Sequence, residues 1–381
     1  MNVSQAAATI GQSTRVGLRP LIDGWTISSI LVAALVAIPI VTVIGLAFSP
    51  EENIWPHLAS TVLPRYVTTT LALMVGVGIG TLFIGVGTAW IVTTCSFPGR
   101  KIFEWALLLP LAIPAYVIAF LYTDILEFAG PIQGALRELF GWVTPKDYWF
   151  PEIRSLGGAI IMMTLVLYPY VYMLARAAFL EQSLGVLEVS RTLGRGPWHA
   201  FFDVALPLAR PAIVIGVSLV MMETLNDFGT VDFFAVGTLT LGVFDVWMNM
   251  NNVGGAAQIA VLMLVFVLLL IGAERFARRK QRFHHTTTRH KNLPRREVRG
   301  WFKFGAFLSC MLPLLMGFLF PVALLINGAL GHFEDALGSG FLATAGNSLM
   351  LSGLAAVCAL AVGVLLAYGL RLRGGNFLNA I

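Results

Sequence analysis

The stretch VTTTLALMVGVGIGTLFIGVGTAWIV, residues 67–92, contains no Asp, Glu, Lys or Arg. A run of about 20 apolar residues coiled as an α-helix matches the hydrocarbon thickness of a bilayer. Strands of a membrane barrel are shorter, about 10 residues, and alternate apolar with polar side chains, which this run does not do. Only helices and closed barrels satisfy every backbone N–H and C=O in hydrocarbon. The run therefore reads as a membrane-spanning helix.

The rest of the chain extends that reading. Over 381 residues, 57% are hydrophobic and only 12% charged, with a mean hydropathy of +0.81, a balance that excludes a soluble globular protein. Eight spans are predicted: Ile27–Phe48, Val67–Val92, Phe103–Ile125, Gly158–Leu180, Pro211–Met222, Ala256–Phe276, Phe304–Asn327 and Ala345–Leu370. The fifth is short, and its helix is expected to continue through Asp227 if its carboxylates face protein or a water-filled cavity. The fold class expected is an all-α integral membrane protein. The first run follows a long polar start and has no small-x-small cleavage site after it, so it reads as an uncleaved helix rather than a signal peptide.

Lys and Arg orient the spans, because positively charged short loops stay in the cytoplasm. With the N-terminus inside, 21 of the 25 fall on cytoplasmic segments or adjoining span ends, leaving Arg65, Arg137, Lys146 and Arg154 outside. The pI near 9.3 then reports the inner membrane surface and needs no nucleic acid. Cys95, Cys310 and Cys358 lie in or beside apolar spans without ligand-like spacing and read as small buried hydrophobes.

The chain divides into a cytoplasmic segment at 1–26, a six-helix unit at 27–273, a basic linker at 274–303 and two further helices at 304–381. The linker's histidines, His284 and His285 among them, sit between Arg and Lys residues. They read as solvated, with the basic charge on anionic lipid headgroups. Helices after the linker repeat those before it, as the halves of transporters do. At an offset of 278, Leu71, Leu73, Leu82, Gly85, Val86 and Ala89 fall on Leu349, Leu351, Leu360, Gly363, Val364 and Ala367; at 282, Pro39 falls on Pro321. A second unit matching the first would require roughly 170 more residues, so this one reads as its beginning.

Between the fourth and fifth spans lies a polar insert, residues 181–207. Glu188, Val189 and Ser190 open a short helix, Gly194 permits a sharp turn, and Pro207 is expected to end a second short helix. The charge distribution places this insert in the cytosol. Its spacing, Glu188-Val189-Ser190, Gly194 and Val204-x-Leu206-Pro207, resembles the docking loop of ABC importer permeases, with Val189 and Ser190 where that family has two alanines. Leu109-Pro110-Leu111-Ala112-Ile113-Pro114, the run Leu167 to Arg176, Asn226-Asp227-Phe228-Gly229 and Thr238 to Phe244 resemble the fused ferric-iron permeases of that family.

The resemblance implies a type I importer-like six-helix unit followed by the first two helices of a second. It implies an inner-membrane permease that binds no cofactor itself, a cytosolic ABC ATPase dimer that uses the ATP, and a periplasmic substrate-binding protein of ferric-iron type. Thiamine permeases share the two-unit plan. In the docking loop Glu188 offers an anionic contact near a helix start, and Trp198, Phe201 and Phe202 offer apolar contact, though aromatic residues also rest at lipid interfaces. No Walker-type Gly-x-x-x-x-Gly-Lys-Ser/Thr segment occurs.

Pro110, Pro114 and Pro169 fall inside spans and are expected to kink them. Glu223 and Asp227, four apart, are expected on one helical face. Intramembrane carboxylates point to function, and hard trivalent iron favours oxygen donors. With Tyr168 and Tyr170, and Tyr172 as a further phenol, they are candidates for the lining of a translocation path; a structural pairing of the two carboxylates remains the other reading. A transporter driven by an ion gradient would explain the repeat but not the docking loop, and no catalytic motif supports a membrane enzyme.

Overall fold

The computed structural model describes residues 24–50, 52–181, 196–278, 296–297, 300–331 and 339–373. The expected residues Glu188, Val189, Ser190 and Gly194 lie outside them. The described chain is helical, with eight helical stretches long and apolar enough to cross a membrane. It forms two compact units, one of Met1–Thr42 with Phe333–Ile381 and the other of Val43–His332.

In the first of these units, α1 (Gly24–Phe48, up to Thr42) carries Pro39 within the helix, and α14 (Ser339–Arg373) is a 35-residue helix. Shifting α3 (Leu63–Thr94) by the repeat offset of 278 gives 341–372, within two residues of α14 at both ends. The two helices are 32 and 35 residues long.

Within Val43–His332, α2 (Trp55–Ser60) precedes α3, and α7 (Leu156–Glu181) is the central element. It packs chiefly against α3 and then against α8 (Leu206–Asn226). Tyr168, Tyr172, Phe179 and Met163 of α7 are fully buried with Leu73 of α3. Gly85 lets α3 approach the α7 backbone, for a Cβ there would lie 2.9 Å from the Tyr172 nitrogen and 3.0 Å from the Tyr168 carbonyl oxygen. Buried threonines of α3 return their hydroxyl hydrogens to their own helix, Thr81 to the Val77 carbonyl at 2.8 Å and Thr88 to the Ile84 carbonyl at 2.6 Å. Their polar atoms thereby cost the apolar core little.

The expected third span is not one helix. It comprises α4 (Arg100–Ala106), a 3-10 turn at Leu109–Ala112, and α5 (Ala115–Leu126). Pro114 has no N–H and disfavours helical geometry at the residue before it; Ile113 is accordingly extended at φ −109°, ψ 122°. Pro110 and Pro114 therefore open elements instead of kinking one, whereas Pro169 lies inside α7. A ten-residue helix, α6 (Pro131–Phe140), follows.

Pro207 also differs from expectation, starting α8 rather than ending a helix. A short helix at Pro197–His199 runs into a π turn at Ala200–Ala205 and directly into α8. The π turn widens the ring to an i→i−5 bond, Leu206 N–H to the Phe201 carbonyl. This accommodates a following proline that lacks its own donor and would crowd the preceding turn. α8 ends at Asn226, and Asp227 is extended at ψ 123°. Two short helices, α9 (Gly229–Phe233) and α10 (Leu239–Phe244), lead to α11 (Val253–Arg278).

After the linker, α12 (Trp301–Leu314), a π turn at Leu315–Leu319 and α13 (Phe320–Gly331) form the seventh span. By sequence it opens a second unit; by packing it enters the core just described. Ala306, Cys310 and Leu314 are buried in the same cluster as Tyr168 and Phe103. The Phe307 ring meets Phe103 edge-on at 5.4 Å, and a Cβ on Gly317 would stand 2.6 Å from the Leu165 carbonyl oxygen. A two-residue parallel strand pair, β1 (Cys95–Ser96) with β2 (Arg296–Glu297), joins the end of α3 to the distal end of the linker.

Candidate functional site

One end of the Val43–His332 bundle gathers the C-termini of α3 and α7, the start of α4 and the residues leading into α8. Here Trp90 packs on Phe179 at 5.3 Å and on Phe201 at 5.0 Å. This inward packing withdraws Phe201 from the contact surface expected of it, and Leu206 also packs against the core. Trp198 and Phe202 remain outward, 72% and 55% exposed, stacked on each other at 6.1 Å and 17°. The Phe201 and Phe202 rings touch at 4.8 Å, linking the outer pair to the inner one.

A charged cluster at the same end was not singled out from the sequence. Glu104 of α4 bonds Arg100 one turn earlier through Oε1, and its Oε2 lies 3.7 Å from Arg176 Nη2 of α7. Arg100 also donates to the Val92 carbonyl at 3.1 Å, and the Tyr172 hydroxyl donates to the Glu104 carbonyl at 3.0 Å. The i, i+4 spacing of Arg100 and Glu104 was the one available signal. Arg176 and Tyr172 join only through tertiary packing.

The four residues expected along a path separate into different environments. Tyr168 is 0% exposed, enclosed in the helical core, and its hydroxyl has no hydrogen-bond partner among the described residues. It lines no open path in this conformation. Tyr170 is half-buried and Glu223 exposed. Asp227 does not share the helical face of Glu223, because α8 has already ended. Its carboxylate instead caps α9, Oδ1 accepting from Thr230 N at 2.8 Å and Val231 N at 3.3 Å, and Oδ2 from the Thr230 hydroxyl at 3.0 Å. One oxygen is committed to the backbone amides of the turn and the other to the Thr230 hydroxyl, a structural use. Among the described residues no three His, Cys, Asp or Glu side chains converge as a metal site.

At the opposite end, α6 and the segment leading to α7 form an aromatic layer. Phe140, Trp142 and Tyr148 stack successively at 4.7 Å, and the Arg137 guanidinium lies 4.0 Å over the Phe128 ring. Asp147 accepts from the Thr144 and Val143 amides at 2.7 and 2.8 Å. Those bonds, led by Thr144, hold its carboxyl below the usual carboxylate range. A cavity of about 800 Å³ lies beside the layer, lined by Phe128, Tyr148, Trp149, Glu152 and Arg154 among others. Arg154 pairs there with Glu127 at 2.9 Å.

Comparison with known proteins places these features. Residues 81–283 match the family described as the binding-protein-dependent transport system inner membrane component. A Fe(3+)-transport system permease protein of Haemophilus influenzae is 30% identical over 83% of the chain, which spans 58% of that relative's length. The molybdenum transport system permease protein of Escherichia coli K12 is 27% identical over 54% of the chain and 90% of its own. Among solved structures, a bacterial ABC transporter involved in import of the acidic polysaccharide alginate matches 68% of this chain and 96% of its own, with a TM-score of 0.53 at 14% identity. That likeness concerns the fold.

Proposed function

Because the chain belongs to the family of inner membrane components of binding-protein-dependent transport systems, we propose that it is the permease subunit of an ATP-driven importer and that its cargo is ferric iron. It is a multi-pass inner membrane protein, with the N-terminus and the 181–207 loop on the cytosolic side in this reading. A separate ATPase dimer binds that loop and hydrolyses ATP, and a periplasmic binding protein delivers cargo to the opposite end. Trp198 and Phe202 are the described residues offered to the ATPase; Glu188 supplies the anionic contact.

The observation that carries the cargo assignment is the exposed carboxylate of Glu223 within the apolar helix α8. An exposed carboxylate near the end of an apolar helix is costly against lipid and is suited to a wet pathway. Carboxylate oxygens, like the phenol oxygen of Tyr170, are hard donors, which suit trivalent iron, and a negative group disfavours passage of oxyanions. The iron permease of H. influenzae supports the same cargo.

Membrane vesicles carrying the complete importer should accumulate ferric iron only with a functional ATPase. Glu223→Gln should lower iron uptake about tenfold, in line with removal of a charged pathway group, without lowering the amount of inserted protein. Iron uptake that persists after loss of the ATPase would refute the permease reading, and unchanged uptake by Glu223→Gln would refute the pathway role.

A further inference from the structure

The short helix α4 is bounded by two breaks in helical geometry. Before it stands Gly99 with φ +78°, and after it the chain breaks into the 3-10 turn at Leu109–Ala112. Seven residues bounded in this way form a lever whose angle depends on what grips it. Two of the grips come from α7, one turn apart: Tyr172 on the Glu104 main-chain carbonyl at 3.0 Å, and Arg176 on the Glu104 carboxylate at 3.7 Å. The other comes from the start of α4 itself, where Arg100 bonds both Glu104 and the Val92 carbonyl of α3.

Magnitudes argue against a mainly stabilising role for the pairing of this carboxylate with Arg176. The Glu104 and Arg176 side chains are 28% and 31% exposed, and partly hydrated pairs of this kind contribute about 0–1 kcal/mol. The buried aromatic and aliphatic contacts around Phe103 and Ala106 hold α4 in place without it. What the carboxylate adds is direction. Each oxygen faces a guanidinium on a different helix, so displacement of the end of α7 draws α4 or transfers Glu104 wholly to Arg100. Arg176 lies five residues before Glu181, where α7 ends and the docking insert begins.

We propose that Glu104 is a positioning residue that couples movement of the cytosolic end of α7 to α4, and through the broken span to the pathway. This rests on the permease reading above. Glu104→Gln keeps the side-chain shape and the main-chain carbonyl that Tyr172 uses, and removes the charge together with one of the two acceptor oxygens. In the importer assembled with its ATPase and binding protein, this variant should insert and copurify with the ATPase as the wild type does. Its cargo uptake should fall about tenfold while ATP hydrolysis stays within about twofold, raising the ATP consumed per cargo imported. Arg176→Gln should reproduce the effect, and the double variant should be no worse than either single one, as coupled residues behave in a double-mutant cycle.

Uptake by Glu104→Gln within about twofold of wild type, a parallel fall of uptake and hydrolysis, or additive losses in the double variant would each overturn the proposal. Wild-type uptake measured with and without the ATPase reports on the permease reading separately, so the two failures are distinguishable.

Discussion

The Tyr122 hydroxyl donates to the Met316 carbonyl at 2.6 Å, joining residues 194 apart in the chain. The acceptor is available for a definite reason. In the π turn at Leu315–Leu319, the Phe320 N–H bonds the Leu315 carbonyl, and the next residue, Pro321, has no N–H to give. Met316 thus loses both of its helical donors, and Tyr122 supplies the replacement. Tyr122→Phe should leave that carbonyl unsatisfied and destabilise the purified protein by about 1–3 kcal/mol in denaturant or thermal melts. Equal stability of Tyr122→Phe and wild type would show that the bond contributes nothing.

A methyl group at Gly85 would meet the backbone of α7 within about 3 Å, whereas one at Gly87 meets nothing within 4 Å. Backbone cannot move aside as a side chain does. Gly85→Ala should lower stability by about 1–3 kcal/mol through overpacking, and Gly87→Ala should not lower it. The comparison is internal to one helix, where Ala is the better helix former, so a similar loss in both variants would point to lipid contact instead of the α3–α7 approach.

Asp147 provides a pH dependence. Its carboxyl is depressed by amide bonds present only in the folded loop, so its contribution is complete above the unfolded carboxylate value of about 3.9 and disappears as pH falls through the lower folded value. Hydrogen exchange at the Val143 and Thr144 amides, corrected for intrinsic rate, should stay slow at pH 5 and quicken only in stronger acid. Asp147→Ala should remove that protection at every pH. Fast exchange in the wild type at neutral pH would contradict the two bonds.

By the distribution of positive charge, Thr240 is expected outside and His285 inside the cell. In a variant lacking Cys95, Cys310 and Cys358, a membrane-impermeant thiol reagent applied to intact cells should modify a cysteine at 240 and spare one at 285. The inverse pattern would reverse the membrane orientation and remove the 181–207 insert from the cytosol.

Much of this architecture is legible in the residues because bilayer thickness constrains them one helix at a time. Val67–Val92 must be helical whatever its neighbours do, and it lies inside the observed Leu63–Thr94. What the sequence conceals depends on neighbours. Pro114 is visible, yet whether a membrane proline kinks a helix or divides it depends on what satisfies the freed backbone groups. The Pro207 and Pro321 turns show the same ambiguity resolved by a widened turn. Asp227 was grouped with Glu223 by helical spacing, and the grouping fails because the helix stops one residue too soon. Glu104 was hidden for the opposite reason, since its second guanidinium lies 72 positions away and periodicity carries no information about such a pair.

The embedding of α12 and α13 in the core of Val43–His332 bears on how such a gene can be organised. Residues 279–295 join the two repeats covalently, but Phe307, Cys310, Leu314 and the Met316 carbonyl already bind them by packing. A gene divided within that segment would encode two polypeptides with a matched interface, the second contributing its opening helix to the first. Coexpressed pieces should copurify under nonreducing and reducing conditions alike, and separation of the pieces in mild detergent would show that the covalent join is required. Fusion or fission of the reading frame then becomes a neutral event for assembly, leaving the length of the basic segment free to vary.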